Sequence, residues 1–169
     1  SASTDDFLSR LCQKWETAAI KAKSLSVRVV NLRTGVVLGR AGGALTQMLP
    51  PFQMGVGGPL GSGRQYFPWI HLHDLVKIIV RALTDDRFVG PVNAVAPQQT
   101  TNREFTRLLG LALKRPAIIP LPAFVLQAIF GQASVVLLGS QRVCPAFLMS
   151  QAFTWDFPEL SAALEDVLA

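Results

Sequence analysis

The sequence predicts an α/β fold, on three observations. Helical and strand-like periodicities alternate along the chain. Half of the 169 residues are apolar, enough for the core of one ordinary domain. Charged residues make up only 16%, against roughly 25% in a typical soluble domain, and this excludes a disordered chain. From Asp5 to Lys23, Phe7, Leu11, Trp15, Ala18 and Ala22 recur at helical spacing, with Thr4 or Asp5 placed to cap the helix. The β-branched run from Ser26 to Leu32 reads as a buried strand. Between Gly35 and Gly63 lie nine of the thirteen glycines and three prolines, so a long functional loop is expected there. Phe67 to Leu72 is a short strand. Asp74 is then placed to cap a helix over 75–86 whose Leu75, Ile78, Ile79, Ala82 and Leu83 share one face. Val92 to Val95 forms a further strand, and Thr101 with Glu104 makes a capping box ahead of a helix over 103–115.

No charge falls between Arg115 and Arg142, and Ala123 to Gly139 is apolar apart from Gln127, Gln132 and Ser134. A membrane span needs about 20 apolar residues. Pro120, Pro122, Gly131 and the two glutamines argue against one here, and two short core helices are expected instead. The tail is a last helix, with Pro158 near its first turn and Leu160, Ala163, Leu164 and Leu168 on its apolar face.

The net charge of +5 is scattered rather than bunched, so a nucleic-acid partner is not expected. Cys12 and Cys144 form neither a C-x-x-C unit nor a disulfide scaffold. The expected location is therefore intracellular, in a reducing compartment, an organellar matrix included. Gly58 to Gly63, followed by Arg64 and Gln65, imitates a phosphate-binding loop but lacks its lysine and its metal-binding hydroxyl. No G-x-G-x-x-G register fits either. His71 and His73 stand two apart on a strand with Asp74 beside them, but a metal needs a further ligand, and one histidine packed in the core with Asp74 capping a helix explains them better; no metal is expected. No G-x-S-x-G turn is present, so the catalytic residues stay unassigned.

Whole phrases carry a resemblance. The run VVNLRTGVVLGRAGGALTQMLPPFQMGVGGPLGSGRQYFPWIHLHDL, then GPVNAVAP, TTNREFTRLLGLALKRP and IPLPAFVLQAIFG, closely resembles the C-terminal part of epimerase-like proteins of the extended short-chain dehydrogenase/reductase superfamily. The tail resembles that branch's own C-terminal module through Gln141, Arg142, Val143, Pro145, Phe153, Phe157, Pro158, Leu160, Ala163 and Leu164. The resemblance implies the C-terminal portion of a Rossmann-like, doubly wound parallel sheet. Residues 1–115 would belong to the NADP-binding domain, with a substrate-cleft loop over 35–66, and 116–169 would form the helical module. The glycine-rich cofactor half would precede Ser1, so NADP is the implied cofactor, and the chain alone is expected not to bind it. That half, or another subunit, is the implied partner, together with a small-molecule substrate.

The resemblance also aligns Glu16 with the glutamate that follows Y-x-x-x-K in such proteins. Leu8 and Cys12 then stand where the proton-transferring Tyr and its Lys would be, and neither can do that chemistry. What carries over is narrower. Arg33, Thr34 and Gly35 would lie on the cofactor side at a strand end, although Arg33 could equally make a structural salt bridge. Arg64, Trp69 and His71 would line the substrate cleft, Arg64 as an anion partner and Trp69 as a stacking surface, although the aromatic residues could equally be core. The implied function is an NADP-linked oxidoreductase or epimerase-like protein; the competing one is a non-catalytic structural or partner-binding subunit.

Overall fold

The computed structural model describes residues 7–122 and 139–169. Helix α1 (Phe7–Ile20) runs into a 3-10 turn over Lys21–Leu25, which Ser26 closes in the left-handed conformation. Strands β1 (Val30–Thr34) and β2 (Val36–Leu38) follow, then α2 (Gly43–Gln53), β3 (Trp69–His71), α3 (Leu72–Thr84), β4 (Gly90–Ala94) and α4 (Asn102–Ala112). Beyond residue 139 come α5 (Ala146–Ser150) and α6 (Leu160–Leu168). The expected α/β alternation is present, and both strand pairs are parallel: β1 with β4 and β2 with β3. Parallel neighbours need a crossover, which the helices between them supply.

Two apolar clusters hold these layers. Leu38, Leu45, Phe52, Trp69, Phe105 and Leu109 meet Leu160, Leu164 and Val167 of α6 in one. Ile70, Ile78, Phe88, Val92, Leu148 and Phe153 form the other. The C-terminal helices thus complete cores begun by the strands.

Three expectations are corrected. The stretch from Gly35 to Gly63 is not one long loop, because it contains β2 and α2. Its glycines serve close backbone approach instead: a Cβ on Gly58 would lie 1.8 Å from the carbonyl oxygen of Ile119. Pro50 and Pro51 sit in the last turn of α2, where they remove two intrahelical donors, and the helix ends two residues later at Gln53. Asp74 is not the cap of α3. The helix starts earlier, and the His71 ring caps it by accepting from the His73 amide. Asp74 is fully buried and accepts from the amides of Asp156 (2.8 Å) and Phe157 (3.0 Å), tying the C-terminal segment to α3. The first strand begins four residues later than Ser26. Thr101 does cap α4, its hydroxyl accepting from the Glu104 amide. The core helices expected over Ala123–Gly139 and the Thr4 or Asp5 cap lie outside the described residues. Among the described residues no helix is long and apolar enough to cross a membrane.

Candidate functional site

The first strand changes partners at Gly35. Up to Thr34 it pairs with β4; the Gly35 amide still donates to Ala94, but the Val36 amide donates to Pro68, and from there the strand pairs with β3. A Cβ at Gly35 would meet the Pro68 oxygen at 2.9 Å and Val95 at 3.0 Å, so this junction admits glycine alone without displacement. A cleft opens between Val95–Thr100, beyond the carboxyl end of β4 where α/β folds hold ligands, and Tyr66–Pro68, which lead into β3. Its space is about 10 Å³.

The cleft is rich in amides, and one cation, Arg142, is bonded to its wall. Gln98, Gln99 and Gln141 line it. Arg142 donates from Nε to Gln99 Oε1 (2.6 Å), and its guanidinium lies 5.7 Å from the centre of the Tyr66 ring. Exposed Arg64 follows the loop whose Ser62 carbonyl accepts from Arg103. Among the described residues, no carboxylate pairs with Arg64, Arg103 or Arg142, whereas Arg28, Arg33, Arg40, Arg81 and Arg87 all have carboxylate partners. Arginine keeps its protons at neutral pH, so these side chains can bind an anion but cannot transfer a proton.

The other expected residues are placed differently. Arg33 is engaged by Glu16 of α1 through two hydrogen bonds. The bonds from Arg33 hold the Glu16 carboxyl below the ordinary carboxylate range, and Glu16 in turn raises the guanidinium. Thr34 ends β1 in an exposed position. Trp69 is 1% exposed and donates from its indole N–H to Thr100 Oγ1, so it is a core residue and not a stacking surface. His71 is also buried rather than cleft-lining. Its ring stacks on Phe157 at 3.9 Å, and because its Nδ1 accepts a bond, its proton sits on Nε2, 3.2 Å from Asp166. Both fall in the core because β3 is short and covered on both faces, as parallel strands usually are. Sequence reasoning did not single out Arg103, Gln98, Gln99 or Arg142 as site residues; nothing in their local pattern marks residues so far apart in sequence as neighbours. Among the described residues, no three His, Cys, Asp or Glu side chains gather as a metal site would need.

A family described as Domain of unknown function (DUF1731) matches residues 121–167. The epimerase family protein SDR39U1 of Mus musculus is 51% identical over 165 residues, which is 97% of this chain and 56% of that protein. The crystal structure of the human epimerase family protein SDR39U1 with NADPH superimposes with a TM-score of 0.90 at 46% identity, over 98% of this chain and 56% of that one. The chain matches the C-terminal part of epimerase family proteins of the extended short-chain dehydrogenase/reductase type. The nucleoside-diphosphate sugar epimerase of Corynebacterium glutamicum agrees, with a TM-score of 0.79 and 34% identity over 99% of this chain and 32% of that one. The chain thus spans about 56% of the length of the curated relatives it matches most fully. A dinucleotide fits the described residues only at its edge: they supply strand ends, but the loop amides of Gly61 and Gly63 are spent on Leu121 and Leu60 rather than turned toward a phosphate.

Proposed function

We propose that this chain is the substrate-side part of an NADP-linked oxidoreductase or epimerase-like protein whose substrate carries an anionic, hydroxyl-rich group such as a nucleoside diphosphate sugar. The observation that carries this reading is the amide-lined cleft with Arg142 bonded to its Gln99 and lying by its Tyr66, and Arg64 two residues before Tyr66. Guanidinium forks suit phosphate oxygens, and side-chain amides suit sugar hydroxyls. The NADPH of the human relative and the substrate class in the name of the Corynebacterium protein support the same reading. Thr34 and Gly35 would face the cofactor. Arg33 would act behind them, holding α1 against the strand end, and 116–169 would form the helical module beside the cleft.

The cofactor half would cover the open edge of β1 and the adjoining groove of about 270 Å³ lined by Val30, Leu32, Ile79 and Leu83. The proposed location is an intracellular, reducing one, which two exposed free thiols suit. A second reading, a non-catalytic subunit, draws on one observation. Leu8 and Cys12 stand in α1 two turns and one turn before Glu16, where the resemblance would put Tyr and Lys.

Calorimetric titration of the full-length protein with NADPH and with UDP-glucose tests both readings. Binding of each, with Arg64→Ala weakening UDP-glucose by about tenfold or more and leaving NADPH unchanged, is the expected outcome; a lost charge-assisted bond has that magnitude. Binding of neither overturns the reading. Binding without any turnover favours the second.

A further inference from the structure

Cations and projecting apolar side chains meet on one surface of the chain. Helix α4 buries Phe105 and Leu109, which turns Arg103, Arg107 and Leu111 outward on one stripe. Exposed Lys114 and Arg115 follow in the turn that ends the helix, Lys114 in the left-handed conformation with φ 53°. Beside that turn, Met54, Val56, Ile118 and Ile119 are 71%, 51%, 79% and 51% exposed. Backbone contacts join these residues. The Ile119 amide donates to the Gly57 carbonyl at 3.3 Å, and a Cβ on Gly55 would lie 3.6 Å from Pro116. A Cβ on Gly110 would lie 2.6 Å from Ala117, so the 115–119 segment is pressed onto α4 as well.

Acid is scarce around them. Between Asp86 and Asp156 the sequence holds one acidic residue, Glu104, and between Glu16 and Asp74 it holds none. Glu104 is partly buried in the first turn of α4. Among the described residues, no carboxylate pairs with Arg103, Arg107, Lys114 or Arg115. The surface is therefore of one sign, and its apolar part lies beside its charge. An acidic peptide would meet the same cations, but a peptide groove half encloses the apolar side chains that line it. Met54 and Ile118 project instead, which suits entry into the boundary between lipid headgroups and acyl chains.

We propose that this face docks the protein peripherally on an anionic lipid surface. Met54 and Ile118 enter the headgroup layer, and Arg103, Arg107, Lys114 and Arg115 lie against lipid phosphates. Clustered cations beside an apolar wedge are the combination that holds a folded protein on an anionic leaflet without a spanning helix.

The test sediments the full-length protein with phosphatidylcholine vesicles made with and without phosphatidylserine. The protein should sediment only with the anionic vesicles at about 0.1 M salt and be released at about 1 M, where the Debye length falls from ~10 Å to ~3 Å. Each cation near an anionic leaflet is worth about fivefold in partitioning, so Arg107→Glu with Lys114→Glu should lower it by about 25-fold or more. Lys21→Glu with Lys23→Glu makes the same change of net charge in the exposed turn after α1 and should lower it far less. Ile118→Trp should add a tryptophan emission that moves to shorter wavelength only when anionic vesicles are present. Absence of sedimentation with anionic vesicles would overturn the docking face, as would equal losses from the two charge pairs at unaltered melting temperatures. An Ile118→Trp emission already at short wavelength in buffer would show the face covered by the rest of the protein. A dimer that Arg107→Glu with Lys114→Glu dissolves would give the face to a second copy; either result sinks the proposal.

Discussion

Arg33 holds Glu16 at two points, with Nε 2.7 Å from Oε1 and Nη2 2.8 Å from Oε2. The pair fastens α1 to the carboxyl end of β1, beside the junction at Gly35. It therefore joins the helix that would carry proton-transfer residues in related proteins to the strand end that would face the cofactor.

Because the Arg33 side chain is half exposed, the pair should contribute only about 0.5–1 kcal/mol to stability. Glu16→Gln and Arg33→Ala should each lower stability by about that amount, and the double variant by little more than either single one. A urea double-mutant cycle on the full-length protein checks this. Fully additive losses would show that the two side chains do not act as a pair.

Asp74 should matter far more than an ordinary first-turn acid. It is fully buried and satisfies the two amides that lead into α6. Asp74→Ala leaves both part-buried amides without that acceptor, at about 1–3 kcal/mol. Asp74→Asn keeps one acceptor and should cost roughly half as much. Denaturant midpoints for the two variants should fall in that order; equal midpoints would mean that the amides find water.

Acid should loosen the same clasp through Asp156, which pairs with Lys77 Nζ at 2.7 Å and His73 Nε2 at 2.9 Å. The hydrogen bond from Lys77 is the main cause that holds the Asp156 carboxyl below its ordinary value. A carboxyl lowered in the folded state contributes stability that is present above its unfolded pKa and is lost as pH falls through the folded one. The difference in melting temperature between the protein and its Asp156→Asn variant should therefore be largest near neutrality and shrink below about pH 4, the ordinary aspartate range. A difference independent of pH would assign the effect to packing.

The sequence revealed elements whose signal is local. Thr101 and Glu104 announce α4 because a cap is a contact between neighbours three residues apart, and the β-branched run before Arg33 announces β1. It hid whatever depends on distant partners. Gly57 and Gly58 look like loop residues until Phe52 and the 119–121 segment are seen pressed against them. Asp74 looks like a cap until residues 156 and 157, over eighty positions away, supply its donors. Trp69 and His71 resemble cleft residues by position, yet a three-residue strand covered on both faces leaves them no solvent.

The last prediction concerns the open side of the sheet. Among the described residues β1 pairs only with β4, and the groove beside it continues onto α3, where Val76, Val80 and Leu83 are 49%, 53% and 73% exposed. Trp15 of α1 is 65% exposed. An unpaired strand edge beside an apolar face is a site for pairing or aggregation. The 169-residue chain expressed by itself should therefore associate or bind a hydrophobic dye, and it should not bind NADPH. Val80→Lys with Leu83→Glu should shift it toward monomer, because both side chains project from α3 into solvent and neither belongs to the two core clusters. In the full-length protein the same pair should be destabilising, since there a specific contact of about 1,000 Å² or more is expected to cover this face. Size-exclusion chromatography with light scattering, run on both lengths, decides the matter. A strictly monomeric chain with a cooperative melt, together with a full-length protein indifferent to the two charges, would show that the face stays open to water and that the remainder of the protein packs elsewhere.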